Sequence, residues 1–165
     1  MMKKLICTAL MLLAIQLSWA VNAKQLFAEF KDAENADYVS IPSLLMKMGR
    51  MFMDDDEDKS DVGADLAKKI NSMKVLDLEK CSDNVKRRFM KRVNELNTDG
   101  YEELMRVNDE NEKVKILIRE EGTTIKEVLF VCSGPEDCAL IQFTGDFKES
   151  DIEMLVKQET EKKHD

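Results

Sequence analysis

Histidine is almost missing from this chain: among 165 residues there is one, His164, next to the end. A catalytic Ser or Cys needs a base and a catalytic zinc site draws heavily on imidazole, so a single tail histidine removes most hydrolase and metalloenzyme mechanisms. Carboxylate chemistry is left, and with 33 Asp and Glu no pair stands out as an acid and base couple. Basic residues are the minority, 25 against 33, for a net charge of −8. No Lys/Arg stripe interleaves with the aromatics, which make up 6% of the chain, so nucleic acid and anionic lipid are not the expected partners. Close Cys-x-x-Cys spacing is absent too, which removes a redox-active pair of that type. The chain reads as a non-enzymatic protein without a cofactor.

What is present begins at the N-terminus. Lys3 and Lys4 precede an apolar run from Leu5 to Leu17, and Ser18-Trp19-Ala20-Val21-Asn22-Ala23 follow. A positive start, an apolar stretch interrupted by Gln16 and Ser18, and a small-residue end form a cleavable secretory signal over 1–23, cut after Ala23. A cut after Ala20 fits the same rule through Ser18 and Ala20. A lipoprotein would carry its cysteine at the end of the apolar run, whereas Cys7 lies near the beginning and leaves with the signal. Loss of Lys3 and Lys4 moves the net charge from −8 to −10. The expected location is the periplasm or the medium, with no membrane span after signal removal. The mature length fits one domain over 24–158, followed by a charged tail over 159–165 expected to be disordered.

Cys81, Cys132 and Cys138 remain, an odd set in an oxidising compartment. Val128 to Val131, a turn holding Gly134 and Pro135, and Ala139 to Phe143 read as a hairpin. With Cys132 opposite Cys138, Phe130 faces Leu140 and Leu129 faces Ile141, which keeps apolar residues together. Two readings stand here, a Cys132–Cys138 disulfide and a pair of buried thiols. Cross-strand β-carbons lie about 4.5 to 5.5 Å apart, whereas a disulfide prefers about 3.8 Å. The bridge would contribute about 2 to 3 kcal/mol.

Periodicity places the remaining elements. Leu26, Phe27 and Phe30 give a short helix, Tyr38 to Ile41 a strand stopped by Pro42, and Ser43 caps a helix whose core face uses Leu44, Leu45, Met48, Met51 and Phe52. Ala64 to Ile70 is helical and Met73 to Leu78 a strand. A helix from Ser82 or Asp83 carries Val85, Phe89, Val93 and Leu96 inward, with Lys86, Arg87, Arg88, Lys91 and Arg92 as a solvated face. From Tyr101 the period becomes two. Tyr101–Val107, Val114–Arg119, Ile125–Cys132 and Cys138–Thr144 form an antiparallel meander ended by Gly145-Asp146. A closing helix over Ile152, Leu155 and Val156 completes an α+β domain, helices packed on an antiparallel sheet with a C-terminal four-strand meander.

Tyr38-Val39-Ser40-Ile41 followed by the Leu45-Met46-x-Met48 helix, Tyr101-Glu102-Glu103-Leu104-Met105, and Leu140-Ile141-Gln142-Phe143-Thr144-Gly145-Asp146 before Asp151-Ile152 together resemble the exported bacterial domain of unknown function 4252. The resemblance spans nearly the whole mature chain. It implies a small envelope protein with no assigned activity and no catalytic residues to carry over, in the company of extracytoplasmic sigma factors. Cys132, Cys138 and the long acidic loop depart from the family pattern.

Two constellations could bind metal. Asp54, Asp56, Asp58 and Asp65 fall at calcium-loop positions one, three, five and twelve, but Lys59 occupies the sharp-turn position that needs Gly, and Asp65 replaces the bidentate Glu. A self-repelling surface loop is the competing reading. Met46, Met48, Met51 and Met53 offer thioethers for Cu(I), yet helical spacing puts Met48 and Met51 beside Leu44, Leu45 and Phe52 as core packing. The function expected is a binding module for an unidentified envelope protein or surface ligand. The alternative is an accessory factor in an envelope-stress or extracytoplasmic sigma-factor circuit.

Overall fold

The computed structural model describes residues 20–51, 62–110 and 113–153. In chain order the elements are α1 (Ala23–Phe30), β1 (Asp37–Ile41), α2 (Ser43–Met51), α3 (Val62–Lys69), β2 (Ile70–Asp77), α4 (Asp83–Asn94), β3 (Glu102–Asn108), β4 (Lys113–Glu121), β5 (Thr124–Ser133) and β6 (Cys138–Phe147). A last helical stretch occupies 149–153. The strands form one six-stranded sheet in the order β1-β2-β6-β5-β4-β3, antiparallel throughout. The α+β class and the meander read from the sequence are therefore what the chain adopts. The periodicity could not supply the place of β2, which fits between β1 and β6.

Alternation along the strands divides the side chains between two faces. On one face, α1 and α4 cover a core of Leu26, Phe30, Leu76, Phe89, Leu129 and Leu140, each fully buried. Phe30 and Phe89 meet edge to face at 5.3 Å between ring centres, the orientation favoured by the ring quadrupoles. The basic residues of α4 do more here than face solvent. Arg92 Nε donates to Glu29 Oε2 of α1 at 2.9 Å, Arg88 lies 5.0 Å over the Phe30 ring, and Lys86 Nζ donates to the Glu136 carbonyl at 3.0 Å.

The opposite face carries a cross-strand row that runs through all six strands: Val39, Val75, Ile141, Phe130, Ile116 and Met105. Only Ile116 in that row is buried, while Val39 is 51% exposed. Leu66 of α3 and Ile152 join Ile118, Ile125, Val128 and Phe147 in a smaller cluster. This second core closes one end of the face.

Three expectations are corrected. First, Leu44, Leu45 and Met48 are not core residues; they are 68%, 54% and 47% exposed, while Met46 is half-buried. Apolar periodicity marks a helix face without saying whether anything covers it. Second, Gly145-Asp146 does not end the sheet, because β6 continues to Phe147. Gly145 is needed for proximity: a β-carbon there would stand 2.3 Å from the Lys69 carbonyl oxygen. Third, the β5–β6 register is Ser133 opposite Cys138 and Cys132 opposite Ala139, one residue from the expected alignment. A one-residue slip sends side chains to opposite faces, so Cys132 and Cys138 diverge and no bridge joins them.

Candidate functional site

The most concentrated polar chemistry lies where β5 meets β4 and β6. Glu127 and Arg119 are cross-strand partners, and Gln142 follows on β6. Glu127, 8% exposed, accepts at Oε1 from the Tyr101 hydroxyl and from Gln142 Nε2, both at 2.6 Å. Its Oε2 lies 3.2 Å from Arg119 Nη1, and the Arg119 guanidinium stacks 4.2 Å from the Tyr101 ring centre. Burial, then the hydrogen bond to Glu127, push the Tyr101 hydroxyl well above its ordinary value, so it holds its proton at neutral pH. The carboxylate already accepts from three donors, and the Tyr101 hydroxyl keeps its proton in that hydrogen bond rather than surrendering it. This arrangement fastens the chain before β3 to the middle of the sheet. The sequence reading missed it, although the Glu121-Gly122-Thr123 turn places Arg119 and Glu127 on flanking strands, where opposite charges pair.

Two of the cavities among the described residues adjoin the sheet. One, of about 190 Å3, lies between α4 and the β3–β4 edge and is lined by Leu96, Tyr101, Arg106 and Lys115; Arg106 is held by Glu103 on its own strand. The other, of about 200 Å3, lies at the cysteine loop and includes Cys132, Cys138, Asp137 and Lys113. Cys138 is buried, its Sγ donates to the Gly134 carbonyl at 3.2 Å, and burial pushes its thiol up to about 11. Burial also raises Cys81. Nucleophilic cysteines need the thiolate, so neither thiol is poised to react near neutral pH.

A third polar group ties α3 to the closing helical stretch. Lys69 Nζ donates to Asp151 Oδ1 at 2.6 Å, and the Lys148 N–H donates to Oδ2 at 2.8 Å. Burial alone would raise the Asp151 carboxyl, but these two donors and their charges outweigh it and hold the group below its ordinary value.

The chain around the expected cleavage point is part of the fold. Val21 is 2% exposed and Ala23 6%, and Val21 bridges to Leu96 beyond α4. The Val21 N–H donates to the Glu95 carbonyl at 3.1 Å, and the Asn97 N–H donates to the Val21 carbonyl at 2.7 Å. Asn22 caps α1 reciprocally: its Oδ1 accepts from the Gln25 N–H, and its own N–H donates to Gln25 Oε1, both at 2.9 Å.

Of the residues singled out for metal, Asp54, Asp56, Asp58 and Met53 lie outside the described residues, as do the acidic loop and the tail. Asp65 belongs to the backbone of α3. Among the described residues no group of three or more His, Cys, Asp or Glu could hold a metal ion, and no helix is long and apolar enough to cross a membrane. Comparison with protein families matches residues 30–155 to a domain of unknown function (DUF4252). No curated protein and no solved structure matches the chain.

Proposed function

The chain belongs to the family of the domain of unknown function DUF4252, and from that premise we propose that it is an exported envelope protein acting as a non-enzymatic binding module. The signal-like segment over 1–23 supports export. The observation that carries the binding role is the apolar row from Val39 to Met105, most of it half-buried, together with exposed Leu44, Leu45 and Met48 on α2. Exposed Val39, Leu44, Leu45 and Met48 on a chain with 33 acidic residues are the kind of apolar surface that marks protein-binding sites. The polar clusters support the same reading, since Glu127, Tyr101 and Asp151 spend their hydrogen bonds on holding elements together.

Fractionation tests the first half: the full chain expressed in a bacterial host collects in the envelope fraction or the medium, and a purely cytosolic protein would refute export. Site-specific photo-cross-linking tests the second. A probe at Val39 gives discrete adducts with an envelope component, whereas one at exposed Glu120 does not; equal labelling from both would discard the surface.

A further inference from the structure

We propose that the signal is removed between Ala20 and Val21, so that the mature protein begins at Val21. The inference rests on the export reading and settles which of two sequence-compatible bonds is cut. Ser18 and Ala20 supply small residues for one, Val21 and Ala23 for the other. Only the first leaves the fold intact.

A cut after Ala23 deletes a 2% exposed valine and both of its backbone hydrogen bonds, to Glu95 and Asn97. It also strips α1 of the Asn22 cap and its reciprocal bond with Gln25. Electrostatics points the same way. The new ammonium would belong to Lys24 in the first turn of α1, where the helix dipole presents its positive end. A cut after Ala20 deletes none of these contacts, because Ala20 is exposed and Val21 begins the buried segment. It places the new ammonium on the nitrogen that already donates to the Glu95 carbonyl at 3.1 Å. Glu95 is the C-cap of α4, so the cation lands at the negative end of that helix. Processing itself thus adds a favourable charge to the docked terminus.

The direct test is N-terminal sequencing and intact mass of the chain recovered from the envelope fraction of an expressing bacterium. A start at Val21 supports the inference. A start at Lys24, or at any residue other than Val21 in exported material, overturns it while leaving export standing. Retained Met1 in an exclusively cytosolic protein overturns the export reading. A stability measurement adds independent support. Chains released from a removable tag to begin at Val21 and at Lys24 are compared by thermal unfolding, and the shorter one is expected to melt roughly 10 °C lower, from the lost burial and capping. Equal melting temperatures would contradict the structural basis of the proposal.

Discussion

The two faces of the sheet are built from equally apolar strands and treated differently. On the α1/α4 side, Leu76, Leu129 and Leu140 are 0% exposed and two phenylalanines interlock above them. On the other, the row containing Val75, Ile141 and Phe130 is only half-buried, and its end at Val39 is open. Strand composition therefore does not decide burial; the helices do. The larger core lies on the α1/α4 face, whereas the smaller cluster around Ile118, Val128 and Phe147 closes only one end of the other.

Substitutions on the two faces test that contrast. Phe89→Ala removes a buried ring packed on Phe30 and is expected to cost about 3 to 5 kcal/mol in urea unfolding, whereas Val39→Ser should stay within about 0.5 kcal/mol. Similar losses at both positions would break the comparison.

Next in size are two changes of about 2 kcal/mol in opposite directions. Ser133→Cys creates a thiol directly across from Cys138, and oxidation is expected to close that short loop and add about 2 kcal/mol; the unaltered chain should show no such dependence on oxidant. Lys69→Met removes one of two donors to a buried carboxylate and is expected to cost about 2 kcal/mol at neutral pH.

The titrations are finer. Because the fold holds Asp151 below its ordinary value of 3.8, its contribution is complete above that pH and disappears as the pH falls through the folded value. Asp151→Asn should flatten the acid limb of stability against pH. Tyr101 runs in reverse: its pKa is raised from 10.0, so its contribution is complete below pH 10 and is lost as the pH rises toward the folded value. Tyr101→Phe should flatten the alkaline limb, and an unchanged limb would show that Tyr101 is not held buried against Glu127 in solution.

Most strands and helices were legible because their signals are local. Period-two alternation located β3 to β6, and the turn residues between them fixed their neighbours. Whether α2 is covered was not local, since Leu44 and Leu45 look the same in sequence whether a partner element lies over them or not. The cysteine register failed by one residue because two adjacent apolar alignments compete. Val131 opposite Leu140 and Phe130 opposite Ile141 satisfy the pattern as well as the expected pairs do. Arg119 and Glu127 were detectable as a charge pair, but Tyr101 and Gln142 join them only through the folded sheet. The weight borne by Val21 and Asn22 was hidden in a segment whose small residues carried a different meaning.

The strand order also has a consequence in time. β2 hydrogen-bonds to β1 and to β6, so the first half of the chain lacks its central neighbour until Cys138–Phe147 has been delivered. Such long-separation pairing must close a large loop before any contact compensates for it. A chain emerging from a ribosome or a translocation pore cannot complete this sheet early.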